Sequence, residues 1–285
     1  MPELPEVETI RQDLKTKILG KKIQKIQVKQ SKSVKNKKSY FIDTLSGQHF
    51  VDIGRQGKLL VFHLADQQNF LLSHLRMTGQ LIYQMSDQVI AGGHDWPDVS
   101  ALPNKHSHII LDFADNSQLF FNDLRRFGYM QLVNAMELEK ILERFGIEPL
   151  QANFTFSNFK KVFVNKKSIL KPFLLNQQII SGLGNIYVDE ICHAAKILPD
   201  RKIDTLSEVE LKKLYQATEK IIQKAILKRG TTFSDYRDAS GRSGNFVDYL
   251  KVYGRGGEKC LACGETLKKV KLGGRGTTFC PNCQK

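Results

Sequence analysis

The sequence contains no long hydrophobic run. Its densest apolar stretch, residues 59–65, is interrupted by His63, and it falls well short of the ~18 residues that a membrane-spanning helix needs. The first residues are acidic, so the basic and then apolar pattern of a secretory signal is missing as well. The sequence therefore predicts a protein without a membrane partner that stays in the reducing cytoplasm.

Acidic residues are too few to balance the basic ones. The chain has 43 Lys+Arg and 29 Asp+Glu, which gives a net charge of +14. Residues 1–150 carry 19 basic and 17 acidic side chains, whereas residues 151–285 carry 24 and 12. A positive field on one half favours a nucleic acid, because phosphate neutralisation supplies much of the affinity in such complexes. A merely soluble basic protein is the alternative, and solvation alone also explains the five lysines between Lys29 and Lys38.

Cysteine is scarce, but four of the five cysteines form a pattern. They are spaced as two C-x-x-C pairs with sixteen residues between them, at Cys260, Cys263, Cys280 and Cys283. This spacing is typical of a zinc ribbon, and four thiolates suit one closed, structural Zn²⁺. Disulfide pairing is the alternative, which a reducing compartment disfavours. Cys192 stands alone and is interpreted as a small buried hydrophobe.

The segment between the two cysteine pairs predicts a β-hairpin. Residues 265–272 and 277–279 flank the glycine-rich turn 273–276. This places Arg275 at the tip, where a rigid arginine can approach a phosphate closely. A solvated turn arginine is an equally open interpretation.

The hydrophobic period changes along the chain and indicates an α+β protein. After Pro5, apolar residues recur at helical spacing up to Ile18. Short strands follow, joined by the turns 54–57 and 114–117, and predict an antiparallel β-sandwich. Helical spacing returns from Glu137 and continues to the zinc hairpin. Residues 86–105 are interpreted as an irregular inserted loop, in which His94 and Asp95 are too few to indicate a metal site.

The N-terminal segment, Met1-Pro-Glu-Leu-Pro-Glu-Val-Glu8, suggests a catalytic role. Removal of Met1 would leave Pro2 with a free secondary amine, and an α-amino group has a pKa near 8, well below that of lysine. Such an amine is a nucleophile at neutral pH and forms a permanently charged iminium with an aldehyde-level carbon. Glu3 and Glu6 lie beside it, as a general acid and a second carboxylate would. The structural alternative is that the prolines start a helix whose positive end the acids favour.

Six segments in one order carry a family resemblance that runs from residue 2 to residue 284. They are Met1–Glu8, Gly57-Lys58, His74-Leu-Arg-Met-Thr-Gly79, Asn122-Asp-Leu-Arg-Arg-Phe-Gly128, Gly182-Leu-Gly-Asn-Ile-Tyr187 and the four-cysteine finger. Together they resemble the bacterial formamidopyrimidine-DNA glycosylases. The resemblance implies a base excision repair glycosylase and AP lyase that removes 8-oxoguanine and formamidopyrimidines from duplex DNA. It also implies a β-sandwich domain at 1–136, a helical domain with a helix-two-turn-helix at 137–245 and a zinc finger at 246–285.

The resemblance assigns roles to individual residues of this chain. Pro2 would attack C1′ of the damaged nucleotide, Glu3 would protonate the deoxyribose ring oxygen, and Glu6 would support the lesion pocket. The Schiff base on Pro2 would then undergo β- and δ-elimination without a metal. Lys58 would hold a phosphate beside this catalytic group.

The remaining implied contacts are with DNA. Met77, Arg125 and Phe127 would fill the void left by the extruded nucleotide, although core positions for Met77 and Phe127 and a phosphate contact for Arg125 are open alternatives. The other implied DNA-binding residues are Lys171, Asn185, Tyr236 and Arg275, with Tyr236 in a loop over the flipped base. The implied protein is a monomer associated with the nucleoid.

Two other functions stay open at this point. One is a noncatalytic DNA-binding relative, which the intact Pro2-Glu3 pair disfavours. The other is the endonuclease VIII group, which prefers oxidised pyrimidines, whereas Leu4 and the segment Arg125-Arg126-Phe127 resemble the purine enzyme. Departures from the family pattern are the long stretch 86–105, Leu124 in place of a common proline, and Gln56 in place of a frequent arginine.

Overall fold

The computed structural model of the chain describes residues 1–86, 88–93, 102–231 and 246–285. These residues belong to two compact units: Met1–Glu143 with Lys228–Asn245, and Arg144–Leu227 with Phe246–Lys285. Within the described ranges, no helix is both long enough and apolar enough to cross a membrane.

The first unit is built on two antiparallel sheets. One has five strands in the order β1-β7-β8-β5-β6, and the other has four in the order β2-β3-β4-β9. The strands are β1 (Ile23–Val28), β2 (Phe50–Gln56), β3 (Leu59–Leu64), β4 (Asn69–His74), β5 (Gly79–Met85), β6 (Gln88–Gly93), β7 (Ser107–Phe113), β8 (Gln118–Asp123) and β9 (Tyr129–Asn134). The helices of this unit are α1 (Leu4–Ile18), α2 (Lys38–Leu45) and α3 (Ala135–Leu142).

One hydrophobic core joins both sheets and α1. Its members alternate along the strands and recur at helical spacing in α1, where Val7, Ile10, Leu14 and Ile18 are all buried. This arrangement is the one that the two hydrophobic periods require, because each sheet buries one face and the helix buries one stripe. The predicted α+β class, with an N-terminal helix and an antiparallel sandwich, is confirmed.

Two local expectations for this unit are wrong. The β2–β3 turn does not cover residues 54–57, because β2 continues to Gln56, which pairs with Leu59. The turn is therefore Gly57-Lys58, and Gly57 adopts φ +57°, a conformation that favours glycine. The stretch 86–105 is not wholly irregular either, since residues 88–93 form β6 and pair with β5. His94 and Asp95 lie outside the described residues.

The second unit is helical and ends in a β-hairpin. Its elements are α4 (Phe156–Phe163), α5 (Leu170–Leu174), α6 (Asn185–Ala195), α7 (Glu208–Leu227), β10 (Lys268–Leu272) and β11 (Arg275–Phe279). The hairpin turn is Gly273-Gly274, both with positive φ, so Arg275 is the first residue of β11 and pairs with Leu272 rather than occupying the turn. The positive φ values explain why glycine fills both positions of this two-residue turn.

The chain divides into two compact units, whereas the sequence predicts three domains at 1–136, 137–245 and 246–285. That division into three domains stays a prediction. Helix α3 begins at Ala135 and packs on β4 and β9, so it belongs to the first unit. The zinc hairpin packs on α6 and shares a unit with the helices.

Candidate functional site

The N-terminal segment is buried at the start of α1. Pro2 is buried and Glu3, which is 3% exposed, is the N-cap residue with an extended backbone. Glu6 turns back and accepts a hydrogen bond at Oε2 from the backbone N–H of Glu3, at 2.8 Å. The acids that follow Pro2 therefore do serve a helix start, as the structural alternative expected, and this role fixes the backbone of Glu3.

The N-terminal amine lies among the catalytic candidates. Burial lowers the pKa of the Met1 amino group, the carboxylates of Glu3 and Glu6 act in the opposite direction, and Lys58 lowers that pKa further. These three side chains thus lie close enough to the start of the chain to set its electrostatics. Lys58 is itself only 6% exposed, at the tight turn between β2 and β3. The structure therefore brings Pro2, Glu3, Glu6 and Lys58 together within one unit.

Glu6 has a second role that sequence reasoning did not identify. Its Oε1 accepts hydrogen bonds from the backbone N–H of Thr231 at 2.7 Å and from the Thr231 hydroxyl at 3.0 Å. Gly230 precedes this contact with φ +81°, and a Cβ there would lie 2.6 Å from Glu6 Oε1. One carboxylate thus joins the backbone of Glu3 to the segment that starts at Thr231. Tyr236 and the rest of the loop predicted to cover a flipped base lie outside the described residues.

Two loops bring Met77, Arg125 and Phe127 into one exposed group. Arg125 Nη1 lies 3.1 Å from the sulfur of Met77, and its guanidinium lies 4.8 Å from the ring centroid of Phe127. Met77 is 39% exposed and Phe127 is 55% exposed. Exposure of this size excludes the alternative in which both are core residues.

The buried side chain of Asp123 holds these two loops together. Its Oδ1 accepts hydrogen bonds from the hydroxyl of Thr78 and from the backbone N–H of Arg125, and its Oδ2 accepts one from Gly128 N–H at 2.6 Å. Asp123 is 0% exposed. A buried carboxylate with several donors organises the loops that carry Met77 and Phe127. It lies inside the quoted Asn122–Gly128 motif, but no local pattern identified its role.

His74 is another site residue that the sequence reasoning quoted without assigning a role. It ends β4 beside Leu59 of β3, so it neighbours Lys58. Burial lowers its pKa to about 3, and the charges of Arg76, Lys58 and Lys35 lower it as well. His74 is therefore neutral at physiological pH. Its Nδ1 accepts the backbone N–H of Arg76 at 3.0 Å, so the proton resides on Nε2.

In the second unit, Asn185 and the zinc hairpin are in direct contact. Gly184 is the N-cap of α6, and Asn185 is its first helical residue rather than the cap. Asn185 Nδ2 donates a hydrogen bond to the carbonyl of Gly276 at 3.0 Å, one residue beyond Arg275. The positive end of α6 and the exposed Arg275 are therefore held on neighbouring segments, an arrangement suited to binding an anion.

Lys171 is not placed as a DNA-binding side chain, which corrects the expectation from the resemblance. It is 0% exposed, and its ammonium bonds to Asp189 Oδ1 at 2.6 Å and to the Gly276 carbonyl at 2.9 Å. Asp189 Oδ2 also accepts the backbone N–H of Thr278 at 3.0 Å. Burial raises the pKa of Asp189 to about 6, against the opposing effect of Lys171. Lys171 therefore secures the hairpin that carries Arg275 instead of reaching a phosphate.

The adjacent Glu190 fastens the segment that leads to the cysteines. Its carboxylate accepts backbone N–H groups of Lys251, Val252 and Tyr253 at 2.9–3.0 Å. Two consecutive acids of α6 thus hold the zinc-binding region at separate points. Sequence reasoning missed both, because an acidic pair on a helix is most often solvated.

The four paired cysteines meet in one cluster. Their sulfur atoms all lie within 4.8 Å of one another, with 3.5 Å between Cys263 and Cys280 and 4.0 Å between Cys260 and Cys283. Tetrahedral zinc–thiolate bonds of about 2.3 Å require sulfur separations of about 3.8 Å. The cluster therefore fits one structural Zn²⁺ with all four positions filled. Cys192 is fully buried elsewhere, and burial raises the pKa of its thiol.

Family models match three parts of the chain. The formamidopyrimidine-DNA glycosylase N-terminal domain matches residues 1–130, and the H2TH domain of the same glycosylase matches residues 145–236. A zinc finger found in FPG and IleRS matches residues 257–285. These matches follow the sandwich, the helices and the cysteine cluster in chain order.

Individual relatives agree with these models over the whole chain. The chain is 40% identical to the formamidopyrimidine-DNA glycosylase of Pelotomaculum thermopropionicum over 288 residues, covering 100% of this chain and 99% of the relative. It is 39% identical to that of Desulfitobacterium hafniense, covering 100% of both. The chain belongs to the formamidopyrimidine-DNA glycosylase family, as the resemblance predicted.

Solved structures of a third relative are similar in fold. A complex between a mutant of Lactococcus lactis FPG and a Fapy-dG containing DNA superposes with a TM-score of 0.89 at 35% identity, covering 100% of both chains. A complex of the Lactococcus lactis Fpg with an abasic site containing DNA also gives 0.89 at 35% identity, covering 99% of both chains. The predicted fold, the enzyme class and the structural zinc are thereby confirmed.

Proposed function

We propose that this chain removes oxidised purines, including 8-oxoguanine and formamidopyrimidines, from duplex DNA and then cuts the strand. The observation that carries the proposal is the N-terminal cluster, in which the start of the chain lies beside Glu3, Glu6 and Lys58. The DNA in the Lactococcus lactis complexes contains Fapy-dG in one case and an abasic site in the other, which are a substrate and an intermediate of such a reaction.

The chemistry assigns one step to each group. After removal of Met1, the nitrogen of Pro2 bonds to C1′, and the bond from C1′ to the damaged base breaks. Together with this departure, Glu3 donates a proton to the ring oxygen as the bond between that oxygen and C1′ opens, and loss of the proton on the Pro2 nitrogen leaves an iminium. The iminium acidifies C2′, so a proton passes from C2′ to water and the 3′ phosphate leaves by β-elimination. Loss of the C4′ proton to water then expels the 5′ phosphate by δ-elimination. No step needs a Lewis acid, and the proposal therefore includes no metal in the reaction.

The phosphates on either side of the lesion need cationic and amide donors. In this proposal Lys58 binds one phosphate from the first unit, and Asn185 and Arg275 bind the backbone from the second. The second hydrogen of the Asn185 amide serves a phosphate while the first stays on the Gly276 carbonyl. The protein acts as a monomer in the cytoplasm, associated with the nucleoid.

Borohydride trapping tests the identity of the nucleophile. Reduction of the iminium during turnover on a duplex with 8-oxoguanine is expected to link DNA covalently to residue 2, as read by peptide mapping. A parallel duplex with an oxidised pyrimidine distinguishes the purine enzyme from the endonuclease VIII type. A covalent adduct on a lysine would contradict the proposal. A Pro2→Gly variant keeps a primary amine and some activity, so only trapping at an undiminished rate would contradict it.

Arg125 is proposed to read the base opposite the lesion, while Met77 and Phe127 fill the void. Extrusion of a nucleotide costs a few kcal/mol in lost stacking, and side chains inserted into the gap recover part of it. The Arg125→Ala variant is expected to lose discrimination between 8-oxoguanine opposite C and opposite A. Excision rates on the two duplexes measure this loss.

The outcome for Arg125 separates three roles. Collapse of the C-over-A preference with an unchanged melting temperature supports the assignment. Equal loss on both duplexes would identify a phosphate contact instead, and a large drop in melting temperature a packing role. Arg126→Ala, at the exposed neighbouring position, is the matched control.

A further inference from the structure

A group of basic side chains surrounds Tyr129 at one end of the four-stranded sheet. Lys35 Nζ lies 3.6 Å from the centroid of the Tyr129 ring, and the guanidinium carbon of Arg76 lies 5.9 Å from it. The ring of His74 lies 5.9 Å from the same ring. We call Lys35, His74, Arg76 and Tyr129 the Tyr129 cluster.

Strand register brings these residues next to Lys58. Leu59 pairs with His74, and His74 pairs with Tyr129, so the ends of β3, β4 and β9 form one row. Neighbouring strands are about 4.8 Å apart, so the cluster begins roughly 5–10 Å from the turn that holds Lys58. It therefore extends the basic surface of the candidate site along the sheet.

Backbone contacts fix the positions of the two exposed cations. The backbone N–H of Lys35 bonds to the carbonyl of Met130 at 3.0 Å, which anchors this lysine to β9. Arg76 adopts φ +52°, a left-handed conformation that non-glycine residues rarely take. Its backbone N–H donates a hydrogen bond to His74 Nδ1, and its guanidinium lies beside the Tyr129 ring. Lys35, one of the five lysines between Lys29 and Lys38, is therefore held over the ring of Tyr129.

The two cations of the cluster lie close enough to affect each other's charge. Burial lowers the pKa of Lys35, and the charge of Arg76 lowers it further. Among the described residues, the charged groups that shift the pKa of His74 are all cations, namely Arg76, Lys58 and Lys35. Like charges held at close range repel, and a bound anion relieves that repulsion.

We propose that Lys35 and Arg76, supported by the Tyr129 ring, bind a second phosphodiester of the DNA backbone next to the one assigned to Lys58. This inference rests on the proposed function, which supplies the DNA. A planar guanidinium beside an ammonium matches the donors that a phosphate oxygen accepts. A stacked nucleobase is a poorer fit, because Lys35 already occupies the Tyr129 face.

Salt dependence of DNA binding tests the site. Each neutralised phosphate adds about 0.9 to the slope of log Kd against log salt. For a duplex with a tetrahydrofuran abasic analogue, the double variant Lys35→Ala/Arg76→Ala is expected to lower that slope by about 1. Its affinity deficit relative to the native chain should then shrink about fourfold between 50 and 200 mM salt.

A matched pair of substitutions controls for net charge. Lys25→Ala/Lys140→Ala removes two exposed lysines from β1 and α3, and its slope is expected to equal that of the native chain. Tyr129→Phe should bind like the native chain, whereas Tyr129→Leu should weaken binding because the support for Lys35 is lost. Lys35→Gln serves as a second variant if the double alanine variant melts early.

Two results would overturn the inference. One is a slope in the Lys35→Ala/Arg76→Ala variant equal to that of the control pair, and the other is equal binding by Tyr129→Phe and Tyr129→Leu. Failure of the proposed function is a separate observation, because it requires that the native chain gives no covalent adduct on residue 2 with borohydride.

Discussion

A Glu3→Gln variant is expected to remove 8-oxoguanine about 10²–10⁴-fold more slowly than the native chain, the range typical for loss of a general acid. Glutamine has nearly the same shape but carries no acidic proton for the ring oxygen. Glu3 is buried as the N-cap of α1, and its backbone N–H is held by Glu6. The amide should therefore occupy the same position, so the loss reports chemistry rather than folding.

Single-turnover excision on an 8-oxoguanine duplex measures this loss. A duplex that already contains an aldehydic abasic site should be cut with a smaller defect, because its sugar opens in solution without the enzyme. Glu139→Gln, at an exposed position of α3, is the matched control and should be fully active. An equal defect on both substrates, or a melting temperature well below that of Glu139→Gln, would contradict the role of Glu3 as proton donor.

A Cys260→Ser variant is expected to lose zinc and binding to damaged duplex together. Binding of structural zinc contributes about 10–16 kcal/mol in zinc-finger peptides, and this free energy is also folding free energy. Without zinc, the two ends of the hairpin that carries Arg275 are no longer joined through a common metal ion. Lys171 and Asp189 contact β11 through Gly276 and Thr278, whereas the zinc joins the two ends of the hairpin through the cysteines that flank it.

Zinc content and duplex affinity measure this effect on the same preparations. Cys192→Ala is the matched control, since Cys192 is buried away from the cluster, and it should keep one zinc per chain with unchanged affinity. Brief treatment of the native protein with a chelator should leave excision intact, because a closed four-thiolate site exchanges its metal slowly. Normal duplex binding by a zinc-free Cys260→Ser variant would exclude a structural role of the metal in DNA binding.

Lys171 shows why the sequence alone misassigned a side chain. A lysine beside Pro172 gives no local sign of burial, and the family resemblance placed it among the DNA-binding residues. Its partners Asp189 and Gly276 lie 18 and 105 residues away, so the ion pair exists only once α5, α6 and β11 pack. The same reason hid Asp123, whose partners belong to two different loops.

Features that depend on short spacing could be predicted from the sequence alone. The two C-x-x-C pairs specified the zinc cluster, the helical period after Pro5 specified α1, and the glycine-rich stretch 273–276 specified a hairpin, although its turn is only Gly273-Gly274. The ordered motifs also identified the family. Each of these features depends on the identity of residues or on their spacing over a short stretch of chain. Covalent geometry and side-chain chemistry determine such features without any long-range contact.

Which distant residues meet, and how far each is exposed, became visible only in the folded chain. The fold placed Lys35 over Tyr129, 94 positions along the chain, and brought Arg125 to Met77, 48 positions away. It also buried Lys171 while leaving Phe127 exposed. These outcomes depend on strand register and core packing, because a shift of one residue in register moves every side chain of a strand to its opposite face.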